Sequence, residues 1–208
     1  MHLQTDNEYI PTAKENFWPM FKSEWLQWRL NKTPLWNIPM RNWLLKRLIG
    51  SIDGTVFAVQ IPFHISFGNR THIGKHFFAN NNCIIYDHGG VTIGDNVMLG
   101  PNVTITTVSH PMNAQERIFY NSDRSFEPHK RANTELCAPI IIGNNVWIAA
   151  GAIISPGVTI GDNTVIGAGS VVTRDIPANV FACGVPCRVV REIDDVGKNE
   201  FVSEVSDK

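Results

Sequence analysis

Long apolar runs, paired cysteines and an excess of charge of either sign are scarce in this 208-residue chain, and each scarcity removes a class of function. No stretch is long and apolar enough to cross a bilayer as a helix, so an integral membrane protein is not expected. The start, Met-His-Leu-Gln-Thr-Asp-Asn-Glu, lacks the basic residues and apolar run of a secretory leader. Four cysteines, at 83, 137, 183 and 187, show neither CxxC spacing nor the density of a disulfide scaffold. Free thiols in a cytoplasmic protein are the expectation. A net charge of −1, with Lys and Arg spread along the chain, argues against nucleic acid as a partner. His72 and His76 are four apart but not in a helical stretch, and no Cys/His cluster has ligand spacing, so no metal is assigned.

What the chain has instead is a beat of six. An aliphatic residue returns at Ile142, Ile148, Ile154, Ile160, Ile166 and Val172, a period that is neither helical nor alternating. Four residues after each stand Val146, Ala152, Val158, Thr164, Ser170 and Ile176, so every hexad has two inward positions. Gly and the pairs Asp95-Asn96, Asn144-Asn145 and Asp162-Asn163 fill the places between, and such residues tolerate positive φ and favour turns. Short strands joined by repeated corners wind an all-β solenoid, a parallel β-helix with a stack of like residues inside. An earlier run, Ile61, Phe67, Ile73, Ala79, Ile85 and then, two residues late, Ile93, Leu99 and Ile105, extends the coils. The slip falls at Asp87-His88-Gly89-Gly90, where a corner must bulge outward.

Three regions result: an arm with helices over 1–50, coils over 51–193, and a polar tail over 194–208. In the first, Phe17, Phe21, Trp25 and Trp28 fall on one helical face. Pro19 interrupts the early part, so the helix is predicted from Met20 onward. A second helix is predicted from Pro39 to Ile49, with Pro in its first turn and Gly50 as its stop. This region holds every tryptophan but Trp147, with Arg29, Arg41, Lys46 and Arg47 beside them. Two readings stand: aromatics that close the open end of the coils or pack on a neighbouring subunit, and a basic aromatic surface for a membrane or a lipid-linked substrate. Between the two runs of hexads, residues 107–139 form a long polar loop extruded from the coils, and such loops are commonly functional. Of seven histidines only His110 sits where the coil gives way to that loop, between Ser109 and Pro111. An imidazole there can take a proton from a hydroxyl near neutral pH, although a lone surface histidine in a loop is ordinarily inert.

The hexads, with Phe77-Phe78-Ala79-Asn80, Ser109-His110-Pro111, Ile142-Gly143-Asn144-Asn145-Val146-Trp147-Ile148 and Gly184-Val185-Pro186-Cys187-Arg188-Val189-Val190-Arg191, closely resemble the hexapeptide-repeat sugar O-acetyltransferases. The resemblance covers about 61–193 and fails over the first sixty residues, where the helices stand in place of the galactoside and maltose enzymes' domain. It implies a left-handed parallel β-helix of roughly five triangular coils, assembled as a homotrimer with active sites between subunits. It also implies direct transfer of acetyl from acetyl-CoA to a sugar hydroxyl. His110 matches the general base, and the N–H of Ala150, three residues after Trp147, matches the oxyanion donor. Asn80 and Ser66 match acceptor contacts. Where the galactoside enzyme has an acidic acceptor contact, this chain has His88, with Asp87 just before it. Trp147, Ala150, Ala168, Thr173 and Arg174 match the cofactor cleft, with Arg188 and Arg191 near the nucleotide phosphates.

The expected function is therefore acetyl-CoA-dependent O-acetylation of a sugar or of a surface-polysaccharide unit. The Leu-Leu-Lys-Arg-Leu-Ile-Gly lead-in to the coils favours a glycan acceptor. A non-catalytic trimeric β-helix, a scaffold or binding module, is the alternative; the intact Ser-His-Pro argues against it. A carbonic-anhydrase-like β-helix would need several metal-binding histidines across an interface, where this chain offers His110 alone.

Overall fold

The computed structural model describes residues 8–9, 14–54, 58–119, 132–133 and 135–193. Its body is a parallel β-helix whose coils contribute one short strand to each of three faces. The first face stacks Ser51–Ile52, Thr71–Ile73, Val91–Ile93, Ile140–Ile142 and Thr159–Ile160. The second stacks Ala58–Val59, Phe78–Ala79, Met98–Leu99, Trp147–Ile148, Val165–Ile166 and Val180–Gly184, and Cys187–Glu192 folds back on it as an antiparallel hairpin. Phe63–Ile65, Cys83–Tyr86, Thr104–Thr106, Ile153–Ile154 and Val171–Val172 make the third. Five coils are complete, and the Ile160 to Ile176 bridge begins a sixth. The register is that of the hexads: Ile105 pairs with Ile85 and Ile154, and Ile148 with Leu99 and Ile166.

Both inward columns read from the sequence are in the core. Ile142, Ile148, Ile154, Ile160, Ile166 and Val172 are buried, as are Val146, Ala152, Val158, Thr164, Ser170 and Ile176. The two hydroxyls among them are satisfied, Thr164 donating to the Pro177 carbonyl at 2.8 Å and Ser170 to that of Gly167 at 2.6 Å. The inward place predicted for Ile61 is corrected. Coils begin at Ser51, and Ile61 lies half-buried at an outer corner while Val59, Phe63 and Ile65 take the inward places. All four cysteines are free, and burial pushes the Cys83 and Cys137 thiols up to about 11.

Three edges join the faces, and they differ in chemistry. Between the first and second faces, Asn96, Asn145, Asn163 and Asn179 hold positive φ and bond side chain to side chain at 2.8–2.9 Å, a structural ladder. The edge between the second and third faces carries Asn80, Gly100, Ala149-Ala150 and Gly167-Ala168 at successive levels. On the edge between the third and first faces, Ser66, Tyr86, Thr106, Ser155 and Thr173 follow one another, because each succeeds a register-paired aliphatic residue. These are called below the asparagine, alanine and histidine edges.

Residues 107–139 leave the coils at the histidine edge. Their described part is built rather than shapeless: Val108–Ser109 pairs with Glu135–Cys137, which pairs in turn with Glu8–Tyr9. A short helix, Ala114–Arg117, and the ladder Ile118–Phe119 with Ala132–Asn133 lie between.

The N-terminal helices finish the open end of the prism. Helix α1 (Lys14–Lys32) continues through Pro19, contrary to the start predicted at Met20; so early in a helix the ring deletes only one bond, to the first turn. Helix α2 (Ile38–Leu48) has Pro39 in its first turn, Asn37 as its cap, and ends two residues before Gly50. The first coil leaves an unpaired strand edge, which side chains of α1 cover. Ser23 donates to Ile65 O, Gln27 accepts from Ile65 N, and Asn31 both accepts from Phe63 N and donates to Phe63 O. Leu26, Leu30, Leu44, Leu45 and Leu48 close the core beneath. Leucines, not the tryptophans, therefore seal the coil end, since Trp18, Trp25, Trp28, Trp36 and Trp43 are all exposed.

Arg41 is the polar centre of this cap. It is buried and donates to the carbonyls of Leu30, Thr33 and Val59; loss of water pulls its pKa down from the usual guanidinium value. Replacing it by Ala strands three carbonyls, at a cost of about 3 kcal/mol. For a chain of this size the thermal midpoint should fall by about 6–12 °C. A midpoint within a degree or two of wild type, followed by circular dichroism, would show the carbonyl cage to be dispensable.

Candidate functional site

His110 emerges at the histidine edge. Thr107, the first residue off the third coil, is buried and locked: its N–H and hydroxyl both donate to Tyr86 O, and its hydroxyl accepts from Gly89 N. The chain then pairs Val108 with Cys137 and Ser109 with Leu136, and His110 follows at the end of that ladder, exposed. Pro111 is buried behind it and fixes the turn.

The two-residue slip at 87–90 makes room for a second lock. His88 Nδ1 lies 2.9 Å from Glu135 Oε2, both side chains mostly buried at 16% and 13% exposure. Arg70 donates to His88 O and lies over the Phe67 ring, which meets the His88 ring edge-on at 5.0 Å. Gly89 passes so close to the returning chain that a Cβ would sit 3.0 Å from Ala138 N. Glu135 belongs to the strand that orders Val108–Ser109, so the coil-2 corner holds the strand that delivers His110. No sequence spacing could announce this pair, 47 residues apart.

The residues expected to contact an acceptor separate on inspection. Ser66 is half-buried on the histidine edge, one coil before Tyr86 and two before Thr106. Asp87 is fully buried, accepting from Phe67 N at 2.8 Å and from the Thr71 hydroxyl at 3.0 Å. Its carboxylate holds a corner and has no open face for a ligand, which corrects the expectation of an acceptor contact there. Asn80 is not on this edge at all. It sits half-buried at the alanine edge, where its side-chain oxygen accepts from Asn81 N.

The cofactor residues also divide. Trp147 is about half exposed on the second face, and the turn after it exposes Ala150. The N–H groups of Ala149 and Gly151 donate to Ile166 O and Pro101 O, whereas that of Ala150 donates to nothing among the described residues. One coil on, Ala168 repeats the arrangement. Arg188 and Arg191 stand exposed on the hairpin strand that extends the second face, Arg191 near the Phe181 ring. Thr173 and Arg174 lie on the histidine edge instead, at the fifth coil.

A single protomer therefore offers a basic edge residue, His110, and an open amide, Ala150, on different edges of one prism. One hexad at about 3.3 Å per residue separates adjacent edges by as much as about 20 Å. The aromatic loop residues Tyr120 and Phe126, and the charges from Asp123 to Arg131, fall outside the described residues.

Two family models match the coils: "Bacterial transferase hexapeptide (six repeats)" over residues 139–174 and "Hexapeptide repeat of succinyl-transferase" over 79–107. The chain is 42% identical to the galactoside O-acetyltransferase of Escherichia coli (strain K12) over 180 residues, 86% of this chain and 81% of the relative. A maltose O-acetyltransferase from Clostridium difficile 630 superposes with a TM-score of 0.82 at 41% identity, covering 91% of this chain and 94% of that one. A galactoside acetyltransferase in complex with coenzyme A gives 0.81 at 38% identity, covering 93% and 90%. That last match leaves out 7% of the chain, far less than its first sixty residues. The likeness thus runs into the N-terminal helices, contrary to the expectation that it fails there.

Proposed function

The chain belongs to the hexapeptide-repeat acetyltransferases, and on that premise we propose that it moves the acetyl group of acetyl-CoA to a hydroxyl of a sugar, in sites shared between the protomers of a homotrimer. The observation that carries this reading is the placement of His110 and the open Ala150 amide on two edges of one prism. A threefold assembly brings the histidine edge of one protomer to the alanine edge of the next. His110 takes the proton of the acceptor hydroxyl as its oxygen forms the ester bond to the acetyl carbonyl carbon. The Ala150 N–H holds the negative charge that develops on the carbonyl oxygen. The carbon–sulfur bond then breaks, and the CoA thiolate leaves with the proton that the imidazole returns. Ser66 on the first edge and Asn80 on the second suit the acceptor, while Trp147, Ala168 and the exposed arginines suit the CoA arm and its phosphates.

The relatives named for galactoside and maltose acetylation make simple sugars the first acceptors to try, with surface-polysaccharide fragments beside them. Acetyl-CoA with each acceptor, followed by thiol release, tests the reading; no acceptor-dependent release from any of them overturns it. Arg188→Ala and Arg191→Ala should weaken CoA by about 10- to 100-fold each and desphospho-CoA by less, because charge-assisted bonds to phosphate are lost. Equal losses for both ligands in a competition assay would place these arginines in a purely structural role.

Glu135 acts through His110 in this scheme. With Glu135→Gln the clamp on the Val108–Ser109 ladder weakens, and kcat should drop about tenfold from misplaced imidazole while KM for acetyl-CoA stays put. A rise in that KM with kcat unchanged would speak against the positioning role.

A further inference from the structure

The sealed end of the prism carries a surface to which the proposed acetyl transfer assigns no role. Helix α1 has two apolar sides. Ser23, Leu26, Gln27 and Leu30 face the coil and are buried, while Phe17, Trp18, Phe21, Trp25 and Trp28 form a second stripe at three- and four-residue spacing that faces solvent. The stripe is ordered: Phe17, Trp18 and Phe21 pack on one another at 5.5–6.4 Å between ring centres. Trp36, at the turn into α2, is 80% exposed and Trp18 70%. Apolar surface of this extent on one pair of helices is not what a solvated cap needs.

Charge is distributed to match. Between residues 17 and 50 stand six Lys or Arg and one Glu, a net +5 in a chain whose total is −1, so the remainder is −6. The chain-wide balance conceals this division. Of the six, Arg41 is spent on carbonyls inside the cap, and the other five lie among the aromatics: Arg29 over the Trp25 ring at 5.1 Å and Arg47 over that of Trp43 at 4.3 Å, with Lys22, Lys32 and Lys46 exposed. A groove of about 300 Å³ opens between the helices, lined by Trp18, Lys22, Ser23, Arg47 and Asn69 among others. Its described lining has two cations and no carboxylate, and its volume accommodates a phosphate headgroup.

We propose that this cap rests on a bilayer containing anionic phospholipid, with the tryptophans at headgroup depth and Lys22 and Arg47 on lipid phosphate. Tryptophan beside Lys and Arg is the composition that lies in a membrane interface rather than across it. No described helix is long and apolar enough to span, which agrees with a surface contact. A second copy of the chain is the competing occupant, but two such caps would meet as like charges. In a threefold assembly whose prisms point the same way, the three caps share one end, and weak contacts of each would add as avidity.

The test is flotation of the full chain with vesicles of phosphatidylcholine alone and with about 30% phosphatidylglycerol. Binding to the anionic vesicles should be at least about tenfold stronger, should fall as salt rises, and should be lost in Lys22→Glu/Arg47→Glu and in Trp25→Ser/Trp28→Ser. Acetyl transfer to a soluble acceptor should persist in both variants, so that failure here leaves the proposed reaction standing. Absence of binding to either vesicle overturns the proposal. So does equal binding to both, or a drop in assembly size by light scattering when the tryptophans are changed, which would assign the stripe to a second copy.

Discussion

Replacing His110 by Ala is expected to lower kcat for acetyl transfer by about 10²- to 10⁴-fold. The same variant should keep its KM for acetyl-CoA and its assembly size. The argument is geometric. The residue follows a strand that is paired on one side to Glu135–Cys137, and its root at Thr107 is tied to the second coil by three hydrogen bonds. A side chain so exposed on so fixed a root contributes little to the core, and deleting its ring creates no cavity. Its loss should therefore appear in the chemical step alone. A variant that turns over like wild type would remove His110 from the role of base.

Gly100→Ala should be nearly as damaging, although Gly100 touches no ligand in the scheme. Gly100 lies on the alanine edge directly beneath the turn that presents the Ala150 N–H, and its own N–H donates to Ile148 O at 2.8 Å. A Cβ there would stand 2.6 Å from Ala150 N, 2.9 Å from Ala149 C and 3.1 Å from Ala150 Cα. All three are backbone atoms in a coil whose next level is hydrogen-bonded to it, so no flexible side chain can give way. The turn must shift, and with it the aim of the Ala150 N–H. Misaiming an oxyanion donor costs about 10²- to 10³-fold in kcat. Overpacking adds about 1–3 kcal/mol of instability. Full kcat in a folded Gly100→Ala protein would mean that the charge is stabilised elsewhere.

The coil was legible because its signal is repeated. Ile142 through Val172 occupy equivalent places, so the same inward side chain is demanded six times and the register follows. The place of His110 at the histidine edge was legible for the opposite reason, as a histidine where the beat breaks. Misreadings fall where a residue's partner is distant in sequence. Asp87 resembled a ligand contact until Phe67 N and Thr71 were seen to occupy its carboxylate. Glu135 has no distinguishing spacing within the polar loop 107–139, and only the folded corner sets it against His88. The tryptophans of α1 had the spacing of a core-facing stripe, but a helix has more than one side. Gln27, Asn31 and Leu30 took the inner side because the first coil needed hydrogen-bond partners along its open strand as well as apolar cover.

The claim on which the rest depends is that His110 and Ala150 act together from neighbouring protomers. Co-refolding His110→Ala chains with Gly100→Ala chains, each carrying a different tag so that mixed assemblies can be isolated, tests it directly. Each parent assembly should be nearly inactive, whereas every isolated mixed trimer should contain one site of three with both edges intact and regain about a third of wild-type kcat. Mixed trimers that remain as inactive as their parents would mean that both groups serve from one chain, and the account of a shared site would be wrong.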